Sequence, residues 1–202
     1  MTNKPNKQKQ NRLILIKRYT FVAVNLYGVI KLDDFIQVFN HYEKEVLSSI
    51  DLIDVSFKED ILANGYFYMT DGKDVRRAKV LLDIQSNKPR YLPTKDEFLK
   101  YEDDDYVEPM KPLTDLEKFI KANQLVVVRR PDDIMSDVLE IHDQIVMGAT
   151  TSHYMGYINR RGYEFKDEIQ IKLFMGLVMN LHNNTRLYDN CGHTPLEIRE
   201  TL

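Results

Sequence analysis

A mainly α protein, formally α+β with its strands confined to the N-terminal part, is what this sequence predicts. Apolar residues recur at helical spacing through most of the chain, and one aromatic run, GYFYMTDG, reads as a strand entering an Asp-Gly turn. The last third holds helical patterns with no strand among them.

Each element has its own signal. From Leu13 the apolar positions Leu13, Ile16, Phe21, Val24 and Tyr27 predict a first helix, with Gly28 as its C-terminal cap. LDDFIQVFNHYE predicts a second, with Asp33 and Asp34 near its positive end. SFKEDILANG predicts a short third helix, opened by the capping pair Ser56/Glu59 and stopped by Asn64-Gly65. VRRAKVLLDIQSN fits a returning strand or a helix, and its length favours helix. Thr94/Glu97 and Thr114/Glu117 are two further capping pairs, and Pro131 precedes DDIMSDVLEIHDQIVMG as a first helical residue. TTSHYMGYINRRG follows as another helix. DEIQIKLFMGLVMNLHNN is apolar on nearly all sides and predicts a helix central to a bundle.

Helix, turn, helix, helix, strand and turn, with LYGVIK as a short first strand, is a winged-helix-like order. The expected organisation is a disordered basic arm at 1–11, a winged-helix-like module at 12–92, an acidic linker at 93–112 and a helical bundle at 113–202.

The bulk numbers limit function. The 202 residues suit one domain or two small ones, and a formal charge of −3 exerts no global pull on nucleic acid or membrane. One cysteine, no signal peptide and no apolar run long enough to span a bilayer lead to the expectation of a cytoplasmic, soluble protein. The glycine-rich phosphate loops, the GxSxG elbow and HExxH are missing, and the acidic pairs around Asp103 and Asp105 sit in a solvated run. His142 with His153, and His182 with His193, lack the i, i+4 spacing of metal ligands, so neither metal nor cofactor is expected. Cys191 near His193 has no evident shelter for a thiolate.

Two sets of residues remain as candidate binders. Lys4, Lys7, Lys9, Arg12, Lys17 and Arg18, with no acid among them, form a basic arm that could join a wing around Arg76 and Arg77 on nucleic acid. The predicted reading helix, SFKEDILAN, carries one lysine against two acids, which disfavours groove binding. Arg186, His193 and Thr194 could hold an anion at a helix start. The bland reading of NNTRLYDNCGHTPLEI is a capped joint: Asn183-Asn184 ending one helix in the left-handed conformation, Thr194, Pro195 and Glu197 starting the next.

The phrase formed by Asn183–Arg186 and Gly192–Glu197, with YGVIKLDDFIQVFN and PRYLPTKDEFLKY, resembles an uncharacterised family from Gram-positive bacteria. It is similar to the N-terminal region of SEC-C motif proteins, but this sequence lacks the cysteines of their zinc tail. GHTPLEI is also similar to the ankyrin turn, but only one copy is present. The family resemblance implies a bacterial, phage or mobile-element origin and supplies no reaction. The resulting expectation is a non-enzymatic interaction or regulatory protein. It binds a macromolecular partner, protein before nucleic acid, through its N-terminal module or an inter-module groove. Self-association is compatible with that reading. Nucleic-acid binding ranks second, and an enzyme or anion binder using the Arg186/His193 loop third.

Overall fold

Packing of the apolar stripe that begins at Leu13 produces one long helix. The computed structural model describes residues 4–49, 52, 62–63, 65–68, 75–127, 130 and 132–200. In it α1 runs from Lys4 to Tyr27 and ends at Gly28, whose φ is +72°. The arm expected to be disordered is therefore helical from Lys4. Once the apolar turns are fixed by packing, propagation into good helix formers such as Lys and Gln needs no new nucleus. Phe21, counted with the apolar stripe, is instead exposed.

The chain forms two compact units, Met1–Tyr106 and Val107–Leu202, and is mostly helical. In the first unit α1 leads into β1 (Val29–Lys31) and α2 (Leu32–Tyr42), and later into β2 (Leu62–Ala63) and β3 (Tyr66–Tyr68). The strands form an antiparallel sheet in the order β1-β3-β2, with Val29 opposite Tyr68 and Leu62 opposite Phe67. Most of the third helix expected at 56–65, with Ser56/Glu59, lies outside the described residues, as do the Asp-Gly turn and Pro131. Leu62–Ala63 is strand where helix was expected, and Gly65 supplies the positive φ (+88°) of the tight turn into β3. VRRAKVLLDI forms a helix, α3 (Val75–Ile84).

Of the stretch 93–112 expected as a linker, 93–106 belongs to the first unit and 107–112 to the second. Thr94 and Glu97 close their capping box over α4 (Lys95–Lys100), which delivers Phe98 to the core. Phe98 stacks on Tyr42 at 4.7 Å and lies 5.8 Å from Tyr19. The tyrosine hydroxyls find acceptors at the edge of this aromatic core: Tyr27 on the Tyr91 carbonyl (2.7 Å), Tyr42 on that of Pro93 (2.9 Å), and Tyr19 on Glu43 (2.6 Å). Arg90 binds Asp34 at 2.9 Å and lies over the Tyr27 ring. Burial of one large aromatic ring thus outweighs the preference of the surrounding acids for a free loop.

All regular structure among the described residues of the second unit is helical: α5 (Lys111–Asn123), α6 (Asp133–Val146), α7 (Thr151–Arg161), α8 (Glu168–Asn184), a single 3-10 turn (Tyr188–Asn190) and α9 (Pro195–Glu200). Leu116, Ile120, Val138, Ile141, Ile145, Ile158, Phe174, Val178 and Leu181 make its core. Thr114 does not cap α5. The helix begins earlier, with Pro112 preset in its first turn, and the Thr114 hydroxyl donates back to the Lys111 carbonyl. α8 is not buried on all sides: Phe174, Val178 and Leu181 face the core while Ile169, Leu173 and Met179 face water.

Removing the Phe98 ring should cost about 3–5 kcal/mol in equilibrium denaturation; a near-neutral Phe98→Ala would show that 93–106 is linker after all. A second expectation concerns Glu43. Burial pushes its carboxyl up, but hydrogen bonds from Lys95 and Tyr19 outweigh this and hold it below the usual range. A depressed native pKa adds stability above the unfolded value, about 4.3, and the gain is lost as pH falls through the native value. Glu43→Gln should therefore be less stable than wild type at neutral pH, and the two should converge on acidification.

Candidate functional site

Helix α1 turns by about 100° per residue, so Lys7, Asn11, Ile14, Lys17, Arg18 and Phe21 share one third of its circumference. The opposite side, with Ile16, Tyr19, Ala23 and Leu26, is buried in the first core. On the outer face Ile14 is 65% and Phe21 44% exposed, and Lys7 and Lys17 stand in water beside them. No acid occurs among residues 1–32. The result is a face that combines two large apolar side chains with positive charge.

The other expected cations are placed differently. Arg12 is turned toward the loop after α2, with Nη1 on Glu45 and Nη2 on the Val46 carbonyl, both 2.8 Å. Arg18 pairs through Nε with Glu102. Lys9 is exposed on another side of α1, and for Lys4 only the backbone is described. Arg76 and Arg77 are exposed in the first turn of α3, a helix and not a wing hairpin. The seven of them whose side chains are described are not brought together into one cationic track.

At the other end of the chain, Arg186, 14% exposed, is held on several sides. Its Nε donates to Glu108 at 2.8 Å, and Nη1 donates to both Glu197 oxygens and to the Gly192 carbonyl, each at 3.1 Å. Glu197 also closes a capping box with Thr194: the Thr194 amide donates to its carboxylate at 3.0 Å, and its own amide donates to the Thr194 hydroxyl at 3.1 Å. His193 Nδ1 is 3.6 Å from the same carboxylate. Two carboxylates on one guanidinium leave no open cationic pocket, so this geometry is that of a clasp. It links the segment before α5 to both ends of the closing loop. Asn183 and Asn184 remain helical. The left-handed residues are Cys191 (φ +53°) and Gly192 (φ +84°), and Cys191 is fully buried.

One cluster was not anticipated. The Asp137 carboxylate, buried between α6 and α7, accepts from Tyr157 (2.6 Å), Arg161 Nε (2.6 Å) and Tyr163 (3.1 Å). Burial, reinforced by the Asp137 carboxylate, pushes the Tyr157 hydroxyl up to about 12 and Tyr163 higher still. Both phenols stay protonated at neutral pH and act as donors, which suits a buried tie. The signal was an aspartate on an apolar stripe, between Ile134 and Ile141. Its partners, twenty and more residues on, had no spacing to reveal them.

Among the described residues no three or more His, Cys, Asp or Glu side chains gather as metal ligands, and no helix is long and apolar enough to cross a membrane. Comparison of the chain with models of known families, with curated proteins and with solved structures gives no match.

Breaking the clasp tests its role. Arg186→Ala should cost about 2 kcal/mol by loss of charged hydrogen bonds, and Arg186→Lys should not restore it, because an ammonium cannot span two carboxylates. Phosphate should leave the melting temperature of the wild type unmoved; a rise that Arg186→Ala abolishes would restore the anion-binding reading.

Proposed function

We propose that this is a non-enzymatic interaction or regulatory protein whose N-terminal unit engages an acidic protein surface through the outer face of α1. The observation that carries the reading is the exposure of Ile14 and Phe21 two turns apart on a face flanked by Lys7 and Lys17. Leaving such side chains in water forgoes about 25 cal/mol for each Å² that a partner would cover. The lysines select for negative charge and exclude basic partners.

The order helix, strand, helix, strand, strand, with β3 central in the sheet, supports a winged-helix-like reading of the first unit. The shared apolar core of α5–α8 supports a bundle in the second. Kinship with the Gram-positive family, and with it a bacterial, phage or mobile-element origin, belongs to the same proposal, as does a cytoplasmic setting.

Nucleic-acid binding is the second reading, favoured by the exposed Lys7, Lys9 and Lys17. It ranks lower because Arg12 and Arg18 already have carboxylate partners in Glu45 and Glu102. Fewer available cations mean less counterion release on binding phosphates.

Two assays separate the readings. Selection against a displayed library of acidic amphipathic helices should yield binders whose affinity falls at least about tenfold with Phe21→Ser or Ile14→Ser, the loss expected from about 1.4 kcal/mol of burial. Fluorescence anisotropy with duplex DNA and single-stranded RNA at two salt concentrations should show no binding. Salt-sensitive binding that survives Phe21→Ser and disappears when Lys7 and Lys17 become glutamate would overturn the proposal in favour of nucleic acid.

A further inference from the structure

One cleft of the second unit, about 430 Å³ in volume, forms where α5 and α7 end. Gln124, the left-handed cap of α5 (φ +50°), and Gly162, that of α7 (φ +75°), both line it. The Glu164 amide donates to the Leu125 carbonyl at 2.8 Å and ties the two helix exits together. Leu125, Val126 and Ile134, all buried, supply an apolar floor. The volume lies within the range of roughly 300–1,000 Å³ usual for small-molecule sites.

The charges around this cleft do not balance. Two charged side chains line it, Lys121 and Glu164. Lys121 Nζ is already paired with Glu117. The Glu164 carboxylate is exposed and has no hydrogen-bond or ion-pair partner among the described residues. Arg161, in the last turn of α7, is committed to Asp137, and the exposed Arg160 and Lys166 lie outside the lining. A helix also carries a partial negative charge at its C-terminus, where the last carbonyls lack intrahelical partners. Two such ends and one uncompensated carboxylate make the cleft electronegative above an apolar floor.

We propose that this cleft binds a small organic cation, an amine or guanidine carried on a short aliphatic chain. The head group meets Glu164 and the helix ends, and the chain covers Leu125, Val126 and Ile134. An alkylammonium like that of lysine keeps its proton up to about pH 10.4, so the head group is charged at neutral pH. An anion is repelled by the same groups, and a neutral chain gains from burial alone. The site belongs to the second unit and is independent of the α1 face.

Hexylamine, hexanol and hexanoate share a chain and differ in head group, and they test the assignment on the full protein. Followed by amide NMR, hexylamine should shift Leu125, Val126, Gly162 and Glu164 saturably in the millimolar range. Hexanol should bind more weakly, and hexanoate should leave these amides unmoved. Glu164→Gln, at an exposed side chain, should keep the circular dichroism and weaken hexylamine by at least about threefold, the scale of one partly exposed ion pair, without affecting hexanol. Lys121→Gln should strengthen hexylamine, because Glu117 is then left uncompensated beside the cleft. Nα-acetyl-lysine N-methylamide carries the same head group: binding as tight as that of hexylamine assigns the site to a lysine side chain of a partner, and weaker binding assigns it to a free amine. Equal binding of hexanol and hexylamine would overturn the proposal, as would indifference to Glu164→Gln or no shift at these amides.

Discussion

Phe98 stands on a six-residue helix in an acidic run, yet its ring lies against Tyr42 and Tyr19 at the centre of the first unit. Much else there depends on that contact. It fixes α4 beside α1, which brings Lys95 to Glu43, Glu102 to Arg18 and Asp104 to Asn25. The acids that follow Phe98 therefore act as local counter-charges to a helix that has none of its own. They also decide which cations of α1 remain available: Arg18 is paired, and Lys7 and Lys17 stand in water.

The second unit uses a different device. Its core is aliphatic for the most part, and its polar ties are concentrated at two points, Asp137 between α6 and α7, and Arg186 in the closing loop. In each a single charged group collects three or more hydrogen bonds. That satisfies the group and fixes the register of the segments it joins. Gly148 adds a close fit beside the 3-10 turn: its φ is +74°, and a Cβ there would lie 2.9 Å from the Asp189 carboxylate.

What the sequence made legible was whatever rests on local chemistry. The capping pairs Thr94/Glu97 and Thr194/Glu197 formed as their spacing requires, and Gly28 ended α1. Thr114/Glu117 had the same spacing and failed, because the helix already starts at Lys111, with Pro112 as a stronger start signal two residues before Thr114. Tertiary placement was less legible. Periodicity could not tell that α8 turns one apolar face to water, or that Phe21 lies off the buried stripe of α1. An acidic run looks solvated until a single phenylalanine within it finds a core. The candidate sites divided in the same way. Arg186, Thr194 and Glu197 were visible as a phrase, but the carboxylate that turns them into a clasp, Glu108, lies 78 positions away.

Cys191 is wholly buried inside the loop that Arg186 clasps, in a left-handed turn followed by Gly192. Its sulfur reaches solvent only when that loop lets go of the body of the unit. The thiol is thus a clock for local opening: under a large excess of alkylating reagent, the rate of its modification reports how often the loop comes undone, much as amide exchange does for a helix. Because the chain has no other cysteine, the reading comes from one place, and the native protein carries this probe without any label being introduced.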